Sequence, residues 1–203
     1  MFWQTVHQID QKLSLIINSW NSPITDPIWT FFSKIPVWIP MYVAIVALLF
    51  WRLGWKKGLI MTLAALATFG FCDQSSNIIK DLVGRVRPAF DEYMLANGLH
   101  VLEQGGRSFS FFSAHAANAF GLATCTTIGL KLDTRLYPTG SEAKPWGKAY
   151  IIWMFLWATL VAISRIFVAR HYLGDVIVGI MVGAIAGSAF AIIARRLIRK
   201  YSL

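Results

Sequence analysis

Apolar residues in this chain gather into five runs, at approximately 34–52, 58–79, 113–131, 148–166 and 175–194. Each is close to the ~20 mainly apolar residues that a helix needs to cross a bilayer core. Residues 2–20 follow a different pattern. Phe2, Val6, Ile9, Leu13, Ile16, Ile17 and Trp20 recur at helical spacing, with Gln4, Gln8, Asp10, Gln11 and Ser14 opposite, which predicts an amphipathic helix lying on the bilayer. A tilted sixth span with polar residues turned toward its neighbours is the other reading. Asn21, Pro23, Asp26 and Pro27 break this pattern before apolar residues resume at Ile28. The predicted fold is all-α: a polytopic membrane helix bundle of about five transmembrane helices plus an N-terminal interfacial helix, or six spans, in a single domain over 1–203.

Composition agrees with this pattern. Of 203 residues, 56% are hydrophobic and 14% charged, where a soluble domain has about a quarter charged. Trp51, Trp55, Trp146 and Trp153 sit near the ends of apolar runs, as interface anchors do. The net charge of +9 fits basic cytoplasmic loops, and no nucleic-acid motif accompanies it. Cys72 and Cys125 both lie inside apolar runs without metal-ligand spacing and read as core residues. The N-terminus lacks the basic region, apolar core and small cleavage site of a signal peptide, so it is expected to persist.

Charge in the connections predicts orientation. Arg52, Lys56 and Lys57 follow the first span, Lys131, Arg135, Lys144 and Lys148 the third, and Arg195, Arg196, Arg199 and Lys200 the fifth. These eleven of the 19 basic residues fall on one side, which is then cytoplasmic, with the C-terminus. Lys80, Arg85, Arg87, Arg107, Arg165 and Arg170 lie on the opposite side, against the rule. Charges kept near membrane depth mark functional sites.

Those charges belong to three segments that the threading brings to one membrane face. The first ends the second span, where Lys80 is followed by Arg87-Pro88. Gly84 weakens the helix and Pro88 biases Arg87 toward extended backbone, so Lys80 closes the span and Arg87 reaches in from a loop. An ammonium and a planar guanidinium together suit phosphate oxygens. The second segment starts the third span, with Ser113 as N-cap and His115 in the first turn. Amide N–H groups there form an anion site, and a histidine on its rim can protonate a departing oxygen. The third segment is 164–175, SRIFVARHYLGD. His171 and Asp175 are four apart, so on a helix Asp175 accepts a hydrogen bond from His171 and frees the other ring nitrogen to attack. Arg165 is six residues before His171, and the two converge only if a turn separates the fourth and fifth spans. Taken one at a time, the segments also fit a surface His-Asp pair, a helix-capping histidine and cations snorkelling to headgroups.

Lys80 with Arg87-Pro88, Ser113-Ala114-His115, and Ser164-Arg165 with His171 and Asp175 resemble, in order and spacing, the three signature motifs of the type 2 phosphatidic acid phosphatase (PAP2) superfamily of membrane lipid phosphatases. The motifs span residues 80–175. The family's second motif reads Pro-Ser-Gly-His, whereas here it is Phe112-Ser113-Ala114-His115. The resemblance implies that His171 attacks phosphorus to form a phosphohistidine, with Asp175 orienting it and His115 protonating the leaving group. Lys80, Arg87, Ser113, the Ala114 amide and Arg165 would hold the phosphoryl oxygens, with no metal or other cofactor implied.

The expected activity is hydrolysis of a lipid phosphate monoester or diphosphate: polyprenyl diphosphate, lipid A phosphate, phosphatidylglycerophosphate or phosphatidate. The expected location is a bacterial inner membrane, with the site on the periplasmic or extracellular face. A lipid-to-lipid phosphotransferase and a non-catalytic lipid transporter or binding protein use the same residues. A haloperoxidase on a related fold fits the span count poorly. Gly179, Gly183 and Gly187 make a small-residue stripe for close helix packing, with a contact between copies of the chain as a second use. Asp73 calls for a partner such as Gln74 or Asn77. The 89–109 loop overhangs the site, with Arg107 as a substrate contact and His100 incidental. Within 164–175, Arg165 is expected to matter more for turnover than Arg170.

Overall fold

The computed structural model describes residues 2–105, 109–139 and 142–201, and every regular element among them is helical. In order these are α1 (Phe2–Asn18), α2 (Asp26–Ser33), α3 (Ile39–Leu53), α4 (Trp55–Val83), α5 (Glu92–Ala96), α6 (Ala114–Leu130), α7 (Pro145–Phe167) and α8 (Leu173–Lys200). The five predicted spans correspond to α3, α4, α6, α7 and α8. Helix α8 continues past the predicted end through Arg195, Arg196 and Arg199. Ile35–Leu53, Pro145–Phe167 and Leu173–Lys200 are long and apolar enough to cross a membrane. Helix α6 has only 17 residues, and α4 carries a polar run at 73–77 while turning Leu63, Leu66, Phe69 and Phe71 outward.

Helix α6 is the centre of the bundle, packed against α4, α7 and most extensively α8. The glycine stripe explains that pairing. A Cβ at Gly179 would lie 2.5 Å from the Ser113 carbonyl oxygen, one at Gly183 2.1 Å from that of Ala117, and one at Gly187 2.4 Å from that of Gly121. Without side chains there, the two backbones approach closely enough for dispersion to hold them. This is the close helix packing expected of the stripe, and because α6 of the same chain occupies it, the stripe is not open to a contact between copies of the chain.

The polar face of α1 also differs from its expected role. Gln11, Ser14 and Asn18 are buried, while Val6, Ile9, Leu13 and Ile16 are exposed. Asn18 Nδ2 donates to the carbonyls of Ile166 and Phe167 at 3.2 and 3.1 Å, and Ser14 Oγ accepts from Leu173 N at 2.9 Å. The helix is amphipathic as predicted, but its polar side grips the α7–α8 turn instead of facing water.

Candidate active site

Helix α4 ends at Val83, three residues beyond Lys80, and is capped by Gly84, whose φ of 62° is the left-handed conformation that favours glycine and whose N–H bonds the Lys80 carbonyl at 2.9 Å. The chain then runs extended into Pro88, with Arg87 at φ −73° and ψ 152°, as a residue before proline should be. Arg87 is buried, and its Nη1 donates to the Arg170 carbonyl at 3.1 Å. Burial and the Arg170 charge lower the Arg87 guanidinium to about 10, so it stays cationic at neutral pH.

Ser113 is the N-cap of α6, with its Oγ accepting from Ala116 N at 3.4 Å. Ala114 and His115 follow in the first turn, whose N–H groups lack helical acceptors. The Ser113 N–H donates to the Asp175 carbonyl at 3.0 Å, which ties the start of α6 to the start of α8.

Arg165 lies in the last turn of α7, buried, with Nη1 donating to Ser33 Oγ and, at 3.4 Å, to the Ser33 carbonyl. Glu103 Oε2 is 3.7 Å from the same nitrogen, and Glu103 Oε1 accepts from Ser33 Oγ at 2.6 Å. The Arg165 carbonyl accepts from both Arg170 N and His171 N, at 3.0 and 3.1 Å. That turn, with Ala169 at φ 61°, folds His171 back beside Arg165 and meets the convergence condition set by their spacing.

The His171–Asp175 pair forms by a route other than the expected shared helix face. His171 precedes α8, and Asp175, in the first turn of that helix, reaches back. Asp175 Oδ2 accepts from Tyr172 N at 3.0 Å and from Ser110 Oγ, while His171 Nδ1 stands 3.6 Å from Oδ2 and 3.5 Å from Ser110 Oγ. At 3.6 Å the pair is an electrostatic contact longer than a formed hydrogen bond, as is common in catalytic pairs without substrate. Burial pushes the His171 imidazole down to about 4 against the opposing pull of Asp175. The ring is therefore neutral at physiological pH, with Nε2 free when Nδ1 carries the proton.

Reading the sequence missed the residue that holds Asp175 most directly. Arg85 Nη1 donates to Asp175 Oδ1 at 2.6 Å, and Nη2 to Asp10 Oδ2 at 2.7 Å. The guanidinium also lies over the Tyr172 ring, 3.8 Å from its centroid. Burial would lower its pKa, but Asp175 and Asp10 reverse the direction and raise it. Arg85 was among the basic residues that break the positive-inside rule, which marked its charge but not its contact with Asp175. Glu103 belongs to the 89–109 loop expected to overhang the site, whereas Ser33 and Ser110 carried no signal.

Of the predicted residues, Arg165 and His171 meet through the turn, Arg87 joins them at the Arg170 carbonyl and Ser113 at the Asp175 carbonyl, while the Arg165 and Lys80 cations both act on the His115 ring. The Arg170 charge reaches His115, Lys80, Arg87 and Arg165 as well, so its separation from the site is smaller than the motif spacing predicts. Its Nη1 donates to Gln104 O at 3.2 Å. Arg107 lies outside the described residues. His100 pairs with Asp26 at 2.9 Å and belongs to the α1–α2 packing. A cavity of about 400 Å³ opens beside Ser33 and His115 and runs between α3, α4 and α6, with almost entirely apolar walls.

Comparison with known proteins agrees with the family resemblance and with the fold. Residues 54–199 match the sequence profile of the PAP2 superfamily. The chain is 32% identical over 191 residues to a lipid A 4'-phosphatase of Bacteroides thetaiotaomicron, covering 93% of this chain and 78% of that protein. It is 28% identical over 181 residues to a lipid A 4'-phosphatase of Porphyromonas gingivalis, covering 89% and 70%. The fold is similar to the crystal structure of a transmembrane PAP2-type phosphatidylglycerolphosphate phosphatase from Bacillus subtilis, with a TM-score of 0.68 and 23% identity over 97% of this chain and 87% of that one. It is also similar to Aquifex aeolicus LpxE, with a TM-score of 0.60 and 23% identity over 91% and 93%.

Proposed function

The chain belongs to the PAP2 superfamily, and from that premise we propose that it removes the 4'-phosphate of lipid A through a phosphohistidine at His171. It is an integral membrane lipid phosphatase; the substrate and the roles of its residues are the proposal. Two relatives are lipid A 4'-phosphatases, and the chain spans at least 70% of each. The observation that carries the mechanism is the convergence of three distant segments: His171 stands beside Asp175 and bonds the Arg165 carbonyl, Ser113 N–H bonds the Asp175 carbonyl, and Arg87 bonds the Arg170 carbonyl.

In the first step His171 Nε2 attacks phosphorus, so that a P–N bond forms as the P–O bond to the lipid breaks. His115 gives its proton to the departing oxygen. Arg165, Arg87 and Lys80, with Ser113 and the Ala114 amide, neutralise the charge on the phosphoryl oxygens. Asp175, held by Arg85 and Ser110, supports the imidazolium character that grows on His171. Water then attacks phosphorus, His115 takes its proton, and the P–N bond breaks to release inorganic phosphate.

The positive-inside rule supports an orientation with the C-terminus cytoplasmic, and the bacterial relatives support a bacterial inner membrane. Arg52, Asp133 and Arg135 meet at the end of the bundle opposite the site, with Arg52 Nε 2.5 Å from Asp133 Oδ2. The site then faces the periplasm or exterior.

The test is phosphate release by detergent-solubilised protein from bisphosphorylated lipid A, polyprenyl diphosphate, phosphatidylglycerophosphate and phosphatidate. Lipid A is expected to be the best of the four, and His171→Ala to lose all measurable turnover. Undiminished release by His171→Ala would overturn the mechanism. Label from the donor recovered on a second lipid, rather than as inorganic phosphate, would identify a phosphotransferase instead.

A further inference from the structure

The cavity beside His115 holds two polar groups that phosphate chemistry does not use. Ala114, His115, Asn118 and Leu122 line it from α6, and Asp73 lines it from α4. Positions 115, 118 and 122 are three and four apart, so one face of α6 leads from the catalytic histidine into the apolar interior. Asn118 Oδ1 is buried without a hydrogen-bond partner. Among the described residues, the Asp73 carboxylate receives only a long 3.5 Å contact, from Asn77 Nδ2. A carboxylate and an open amide oxygen in an apolar wall are costly unless something completes them.

What completes them follows from where the leaving group lies. Phosphate occupies the cationic cluster, and His115 touches the departing oxygen, so the atoms beyond that oxygen enter the cavity past Asp73 and Asn118. Both are acceptors, and one is anionic. They repel a second phosphate bonded directly to the departing oxygen and attract a neutral hydroxyl or amide N–H close to it. The leaving group of a polyprenyl diphosphate is itself a phosphate, and that of phosphatidate is a diacylglycerol with no donor besides the departing oxygen. An acylated amino sugar carries both hydroxyl and amide donors near its ester oxygen, and its acyl chains suit apolar walls.

We infer that Asp73 and Asn118 form a leaving-group subsite that selects lipid phosphates bearing a hydroxyl or amide N–H donor close to the ester oxygen. This rests on the reading of the site as a phosphatase with His115 as the acid. The experiment compares kcat/KM for phosphate release from bisphosphorylated lipid A and from phosphatidate, using the full chain, Asp73→Ala, Asp73→Asn and Asn118→Leu. A lost hydrogen bond to a charged acceptor corresponds to about tenfold or more, so Asp73→Ala is expected to lower the lipid A to phosphatidate ratio by about that factor. Asn118→Leu should lower it less, and Asp73→Asn, which keeps an acceptor and the side-chain volume, should restore part of it. Equal losses on both lipids, as expected if Asp73 only balances Lys80, or an unchanged ratio, would overturn the inference and leave the phosphatase reading intact. A wild-type chain that releases phosphate from neither lipid would overturn that reading, and the inference with it.

Discussion

Asp175 is shared among more partners than a nucleophile-orienting carboxylate needs. Arg85, Ser110 and the Tyr172 amide bond it directly, and His171 stands slightly farther off. Arg85 is therefore a positioning residue: Arg85→Gln is expected to lower kcat about tenfold or more with little change in KM, since it removes a charged hydrogen bond that does not touch substrate. A rise in KM at constant kcat would place Arg85 on the substrate instead. The neutral state of His171 gives a second prediction. Its folded pKa of about 4 lies below the ordinary histidine value of about 6.5, so between these values the unfolded chain binds a proton that the folded chain does not. Stability accordingly falls as pH drops through that window. Thermal midpoints of the wild type in detergent should decline from pH 6.5 to 4 more steeply than those of His171→Gln. The candidate catalytic residues were legible at this scale because their types and spacings are set by chemistry. Arg85, Ser33 and Ser110 were not, because they reach the site through turns that no linear spacing encodes.

Among the elements, the length of each apolar run located the five helices read as spans, because a bilayer core demands a continuous apolar stretch of about 20 residues. It could not say which neighbour each helix meets. The glycines of α8 read as a stripe for close helix packing without naming the partner helix, and the 2.1 Å approach of a Gly183 Cβ to the Ala117 carbonyl identifies it as α6. Because that obstacle is backbone, Gly183→Leu is expected to destabilise the bundle by about 1–3 kcal/mol or more. Met181→Leu, on the outward face of the same helix, should leave the thermal midpoint within a degree or two. Similar effects from both substitutions would contradict the packing. The two-sidedness of α1 was equally plain in the sequence, but only contact with α7 and α8 shows that its polar side is the buried one.

Taken whole, the molecule separates a cationic catalytic end from a basic end built on Arg52, Asp133 and Arg135. If the second is cytoplasmic, a C-terminal cysteine will react with a membrane-impermeant reagent only after the inner membrane is broken, and labelling in intact spheroplasts would reverse the assignment.

Hydropathy by itself determined the membrane class, the five long helices and the end at which charge collects, since these follow from transfer free energies summed along the chain. Motif spacing likewise picked out the histidines, cations and carboxylate proposed for the chemistry. Only the tertiary structure decided that Arg85 and α1 hold the catalytic turn, that α6 fills the glycine stripe, and that Asp73 faces a cavity beside His115. Each of these depends on which surfaces meet when helices pack, a matter of three-dimensional complementarity between segments up to about 160 residues apart.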